Sequence, residues 1–328
     1  MKKLIEEFAG QIERGLEIYN ASSLRTVPGK YTNVVISGLG GSGIGGTIIR
    51  DLSAGFSNIP VLVNKEYGIP AFVGPTTLFI ASSYSGDTEE TLAAVEKAIE
   101  KKAHIICITS GGKLSAIARA HGLDLIVIPG GSPPRANLGY SLTQLICIFS
   151  SAGFLPTSHF DDLKRCISFI KTNESEIIEK AQQIASEVLG KRIIIYSDAS
   201  NEGVAIRFRQ QLNENSKELC WHHVVPEMNH NELVGWTTKS DNQAVIFIRN
   251  TTDHPRNQYR VEINKGIVIG YCPTVIEIWG LGNNPIERTM YTIHLVDWIS
   301  YFLAESKGVD IMDIKVIDYL KIKLSEID

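Results

Sequence analysis

Between Val34 and Arg50 the chain reads Val-Val-Ile-Ser-Gly-Leu-Gly-Gly-Ser-Gly-Ile-Gly-Gly-Thr-Ile-Ile-Arg, and this stretch constrains the fold most tightly. Val34 to Ile36 form a short apolar run that predicts a buried strand, and Ile44, Ile48 and Ile49 recur at helical spacing. The glycines between them allow positive φ and let backbone amides approach a ligand. A helix that begins there presents free N–H groups and its positive dipole end to an anion. The same pattern also serves as a plain strand-to-helix turn or as a dinucleotide loop, so the rest of the chain has to decide.

The decision starts with the alternation that follows. Val61 to Val63, Thr77 to Ala81, His104 to Ile108 and Leu125 to Ile128 read as strands. Between them lie helical segments with Leu92, Val95, Ala98 and Ile99 on one face, and Leu114 to Ala120. An amphipathic helix over Lys2 to Tyr19 precedes this unit, and Leu138 to Ala152 predicts a buried helix after it. Strands alternating with helices at short intervals specify an α/β fold, a doubly wound parallel sheet with helices on both faces. Gly153 to Asp161, with Pro156, reads as a joint, giving domains over 1–155 and 156–328. The second half repeats the plan: Arg192 to Gly203 echoes the opening strand and loop, and Val204 to Leu212 supplies the helix. Ala244 to Ile248 and Val275 to Ile278 are further strands, and Pro285 to Leu303 is a long helix. The serine-rich turn of the first half has no counterpart in the second, so a single site between two unlike halves is expected.

Composition narrows the class. A chain of 328 residues is long enough for two cores. Its net charge of −4 provides no basic footprint for nucleic acid. No apolar run reaches membrane-spanning length, and the start lacks the apolar core of a secretory signal. Cys107, Cys147, Cys166, Cys220 and Cys272 show no paired spacing, which predicts reduced thiols and a cytoplasmic protein.

The chemistry concentrates in Ser83-Tyr84-Ser85-Gly86-Asp87-Thr88, between a strand and a helix. Any one of these hydroxyls could simply cap the helix, with Asp87 or Thr88 as the cap residue. Ser83, Ser85 and Thr88 together at a helix start offer uncharged donors to a phosphate. No Walker lysine and no residue placed for Mg²⁺ accompany them, which argues against nucleotide hydrolysis. A nicotinamide site is also disfavoured, because Glu66 is only an ambiguous ribose ligand. A phosphorylated small molecule, bound without cofactor, is the expectation. His222, His223, Glu227 and His230 cluster in sequence, but Pro226 interrupts them and no zinc spacing is met, so no metal is expected.

Ser83 to Thr88 resembles the phosphosugar-binding turn of sugar isomerase (SIS) domains. Together with Gly40 to Gly45, Pro133 to Gly139, Asn213-Glu214-Asn215-Ser216-Lys217 and Pro226 to Glu232, it makes nearly the whole chain similar to the bifunctional phosphoglucose/phosphomannose isomerases. The resemblance implies two tandem flavodoxin-like SIS domains with flanking helices. It also implies aldose–ketose isomerisation of glucose 6-phosphate and mannose 6-phosphate with fructose 6-phosphate through a cis-enediol(ate). In that reading Glu214 is the base, and a carboxylate brought toward neutrality by partial burial suits the task. Arg135 would stabilise the developing oxyanion, for which a fixed guanidinium is well suited. His230 would open the sugar ring, crossing from the neighbouring subunit of a homodimer. A lysine near the end of the chain assists, Lys321 fitting best with Lys315 and Lys323 close by. Ser83, Ser85 and Thr88 hold the phosphate, and Gly41 and Ser42 line the pocket. The family often has a threonine just before its lysine; Val309 to Lys323 contains none, which leaves the mannose epimer open. Trp221, His222 and His223 lie where members of that family often have smaller apolar residues. A non-catalytic phosphosugar sensor and an amide-transfer enzyme are the alternatives; the first would not need Glu214, Arg135 and His230 together, and the second would need a further nucleophile domain.

Overall fold

The computed structural model describes residues 1–327. Two short helices open the chain, α1 (Lys2–Glu6) and α2 (Phe8–Ala21), in place of the single helix expected there; the break falls at Glu7. The first half then runs β1 (Asn33–Ser37), α3 (Gly40–Ser53), β2 (Val61–Asn64), β3 (Thr77–Ser82), α4 (Glu89–Glu100), β4 (His104–Thr109), α5 (Gly112–Ala120), β5 (Asp124–Val127) and α6 (Leu138–Ser151). Its five strands form an entirely parallel sheet in the order β2-β1-β3-β4-β5. Every residue of β1 and of β3 is buried. Helices cover both faces of such a sheet, which is why these strands appear in sequence as continuous apolar runs.

The second half consists of α7 (His159–Val188), β6 (Arg192–Asp198), α8 (Glu202–Glu214), β7 (Trp221–Val225), β8 (Gln243–Arg249), α9 (Pro255–Val268), β9 (Thr274–Trp279), α10 (Pro285–Lys307) and α11 (Lys315–Ser325). Its sheet is also parallel, in the order β7-β6-β8-β9. Strand β7, carrying His222 and His223, is not visible as an apolar run, because it lies at the sheet edge and is only partly covered. Among the described residues no helix is long and apolar enough to cross a membrane. All five cysteines are free thiols.

The strand orders reverse between β1 and β3 and between β6 and β8, so a crevice opens at the carboxyl ends of each pair. The crevice of the second sheet is filled by its own polar groups. Asn201 Nδ2 donates to Asp253 Oδ1 (3.2 Å), Asn250 Nδ2 to Asn201 Oδ1 (2.8 Å) and Asn257 Nδ2 to Asp198 Oδ2 (2.6 Å). The two halves are therefore unlike at corresponding positions, as the missing serine turn implies.

Helices α3 and α8 bring the halves together. A Cβ on Gly203 would lie 2.9 Å from Ile48 Cα, so only glycine permits this approach. The Gly203 amide donates to Asp51 Oδ2 at 2.7 Å, and Arg50 bridges Asp51 and Glu202. Burial outweighs these partners and pushes the Asp51 carboxyl up to about 6. Its unfolded value is lower, so between about pH 4 and pH 6 the folded chain holds the extra proton and stability falls as pH rises. The contribution is present in full below pH 4, is lost through pH 6 and amounts to about 3 kcal/mol. Asp51→Asn should flatten this part of the stability–pH profile relative to the parent. Urea midpoints measured from pH 4 to 7.5 test it, and parallel profiles for the two proteins would refute it.

Candidate active site

The site is built where β1 and β3 end. A Cβ on Gly43 would stand 2.2 Å from the Gly38 carbonyl oxygen, and one on Gly38 would stand 2.6 Å from that of Ser82. The glycines thus allow the β1–α3 loop to fold tightly against the end of β3. Ser42 Oγ accepts from the Tyr84 amide at 2.9 Å, fastening this loop to the serine turn. On its other side, a Cβ on Gly41 would lie 3.0 Å from the Arg135 amide nitrogen.

Within the turn, Ser83 Oγ and Thr88 Oγ1 are hydrogen-bonded at 2.9 Å. Ser83 Oγ also accepts from the Gly86 amide (3.2 Å), and Ser85 Oγ accepts from the Asp87 amide (3.2 Å). Gly86 has φ +77°, and a Cβ there would meet the Gly111 carbonyl at 1.9 Å. Thr88 is the N-cap residue of α4, yet its side chain forms no cap hydrogen bond. Asp87 is engaged elsewhere, accepting from the Lys113 amide at 3.1 Å. Neither helix that starts at this crevice has a side-chain cap: α3, with Leu39 at its N-cap, also lacks one. The first turns of two helices thus lack a side-chain partner for their amides, and an anion is the ligand such amides favour. The capping role that competes with ligand binding in the sequence is not the one these hydroxyls adopt.

Arg135 lies in a 3₁₀ turn, Pro134–Ala136, and is 3% exposed. Its Nε donates to Asn215 Oδ1 (2.7 Å), its Nη2 to the Ile311 carbonyl (2.7 Å) and its Nη1 to Glu214 Oε2 (3.3 Å). Burial lowers its pKa, but a guanidinium starts so high that it stays charged. Glu214 closes α8, with its side chain 29% exposed. A carboxylate with solvent on one side and a fixed guanidinium on the other can exchange a proton beside a site that stabilises negative charge.

Several contributors are not evident from sequence. Asn215 lies within the Asn213–Lys217 motif, but its role in orienting Arg135 is not. Arg207, 1% exposed on α8, donates from Nη2 to the Arg135 carbonyl (2.6 Å) and pairs with Asp297 (2.8 Å), and nothing in its surroundings in the chain marks it. Lys217 adopts φ +54° beside Glu214, and burial and the Arg135 charge lower its pKa.

His230 is exposed at the end of the 3₁₀ turn Glu227–His230, which buries Met228, and Lys321 is exposed on α11, a helix with no buried residue. Among the described residues neither makes a hydrogen bond to Arg135 or Glu214. The histidines of β7 are likewise not gathered around a common centre. His223 Nδ1 pairs with Glu232 Oε2 (2.7 Å), and Glu232 Oε1 accepts from Tyr196 Oη (2.6 Å) and Trp221 Nε1 (3.0 Å). Among the described residues no group of three or more His, Cys, Asp or Glu is placed to hold a metal ion.

Residues 30–137 match the SIS domain model, and residues 177–324 match the model of the bacterial phospho-glucose isomerase C-terminal SIS domain. The fold is shared with the C-terminal domain of glucosamine-fructose-6-phosphate aminotransferase from Francisella tularensis at a TM-score of 0.73 and 17% identity, covering 94% of this chain and 96% of that one. Fold and site thus define a tandem SIS-domain protein. The chain is also 38% identical over 329 residues to a bifunctional phosphoglucose/phosphomannose isomerase of Caldicellulosiruptor bescii, covering 97% of this chain and 96% of the relative. A D-glucosamine-6-phosphate 4-epimerase of Sulfolobus acidocaldarius is 34% identical over 239 residues, covering 72% and 75%. The chain belongs to the bifunctional phosphoglucose/phosphomannose isomerase family.

Proposed function

We propose that the chain interconverts glucose 6-phosphate and mannose 6-phosphate with fructose 6-phosphate, without a cofactor, through a cis-enediol(ate). The observation that carries this reading is the Glu214 carboxylate set 3.3 Å from the buried guanidinium of Arg135, whose backbone abuts Gly41 in the uncapped first turn of α3. Ser83, Ser85 and Thr88 take the phosphate, and Gly41 and Ser42 close the pocket around it. Glu214 removes the proton from the carbon beside the carbonyl and returns it to the neighbouring carbon. Arg135 balances the charge that develops on the enediolate oxygens between the two transfers. His230 and Lys321 exchange the ring-oxygen proton that opens the cyclic sugar. Domains 1–155 and 156–328 form this site jointly, in a cytoplasmic enzyme.

The exposure of His230 fits a homodimer in which each subunit lends this residue to its partner. Mixing inactive Glu214→Gln and His230→Ala chains should then restore activity. Each mixed dimer regains one complete site, so random exchange yields about a quarter of the parental activity. No recovery after verified subunit exchange would show that Glu214 and His230 act in one chain.

Product formation from fructose 6-phosphate, with glucose 6-phosphate and mannose 6-phosphate resolved and a chelator present or absent, tests the reaction itself. Both products, undiminished by chelation, are expected. Absence of turnover with the sugar phosphate still bound would replace the enzyme by a sensor.

A further inference from the structure

At the amino ends of β3, β4 and β5, opposite the crevice that holds the serine turn, a cavity of about 360 Å³ opens to solvent. Half of its lining residues are basic: Arg25, Lys30, Lys102, His104 and His121. In a chain of net charge −4 such a concentration is unexpected. We propose that this cavity is a second anion site, taking an oligophosphate or a phosphorylated small metabolite.

The basic groups are held in place. Asp124, with its side chain 4% exposed, accepts from Arg25 Nε at 2.6 Å and from the Arg25 amide at 3.0 Å. Its other contact is His104 Nε2 at 2.8 Å, and His104 Nδ1 is in turn hydrogen-bonded to the Tyr31 hydroxyl. Arg25 Nη2 also donates to the Gly122 carbonyl at 2.7 Å. The one carboxylate in this network is turned inward and fully engaged, and it fixes the guanidinium at the cavity wall. Lys30 and Lys102 are exposed and form no ion pair among the described residues.

A plainer role accounts for only part of this set. Helices α4 and α5 end at Glu100 and Ala120, and a cation just beyond a helix end offsets its carbonyl dipole. Lys102 and His121 can do this; Arg25 and Lys30, on the irregular connection between α2 and β1, are additional. Backbone geometry marks Lys102 as well. It adopts φ +58° where the corresponding turn after α5 uses Gly122 at φ +60°. The left-handed region favours glycine, so a lysine at that position keeps its charge against a backbone preference. A planar guanidinium matches phosphate oxygens two at a time, and the flanking ammonium groups supply point charges for further phosphate oxygens. The volume lies at the small-metabolite end of the usual range for ligand pockets.

This inference does not depend on the isomerase reading, and the experiment keeps the two apart. Pyrophosphate is titrated by calorimetry at low ionic strength into the full chain carrying Ser83→Ala, Ser85→Ala and Thr88→Ala, which removes all three hydroxyls of the serine turn. One binding event should remain, and adding Lys30→Glu with Lys102→Glu should weaken it by about tenfold or more. No residual binding, or binding indifferent to the lysine changes, overturns the site. If the serine-turn variant does not fold, Lys30→Gln with Lys102→Gly in the otherwise unaltered chain replaces it, the glycine suiting the backbone. That protein should lose one of two binding events while kcat/KM for fructose 6-phosphate stays within about twofold, since the lysines lie at the opposite ends of the strands from the serine turn. An unchanged number of events refutes the proposal.

Discussion

Glu214→Gln should lower turnover by about two to four orders of magnitude while KM stays within about threefold. Glutamine keeps the length of the side chain and an oxygen for the 3.3 Å contact with Arg135 Nη1, but it cannot take a proton from carbon. The serine turn and the uncapped amides that hold the phosphate are untouched, so ground-state binding persists. A loss confined to kcat is the signature of a group used in the transition state rather than in binding. Steady-state kinetics in both directions, with exchange of the substrate C2 proton into solvent as a second readout, give the answer. Turnover near the parental value would remove Glu214 from the mechanism and leave Arg135 without a catalytic partner.

Arg207→Met should destabilise the fold by about 3–5 kcal/mol, the usual cost of leaving a buried charge unpaired. Arg207 donates to both oxygens of Asp297, at 3.0 and 2.8 Å, and to the Arg135 carbonyl at 2.6 Å. After the substitution Asp297 keeps Gln211 Nε2 at 2.9 Å, one neutral donor for a buried carboxylate. The urea midpoint should drop, and the double variant Arg207→Met with Asp297→Met should recover much of the loss, since no charge then remains to be paired. Because Arg207 also supports the turn that carries Arg135, the double variant should regain stability without regaining full kcat. Equal stability of the single variant and the parent would show that water or chain movement satisfies Asp297.

The sequence alone determined those parts of the molecule that depend on neighbours in the chain. Strand runs such as Val34–Ile36 and Thr77–Ala81, and the helical spacing of Leu92, Val95, Ala98 and Ile99, are local periodicities, and each falls in the element it specifies. The glycine loop and serine turn lie at strand ends for the same reason, and their position at the strand-order reversal follows from the parallel α/β plan. Local reading fails where coverage is partial or a boundary depends on contacts: β7 at a half-covered edge, or the break at Glu7.

Tertiary structure decided what each polar group does. Thr88 can cap α4 or bond Ser83, and only the fold of the turn selects the second. Arg135 and Glu214 lie 79 residues apart, and Arg135 and Ile311 lie 176 apart; no periodicity links them. Their meeting depends on how α8 packs against α3 and α10 and on a carbonyl that any residue at 311 would present. Arg207 shows the same limit most clearly, since nothing in the residues around it indicates burial and its role exists only once Asp297 and the Arg135 carbonyl surround it. The physical reason is one of range: backbone preference and side-chain periodicity act over a few residues, whereas the pairing of buried charges is settled by packing across the whole chain.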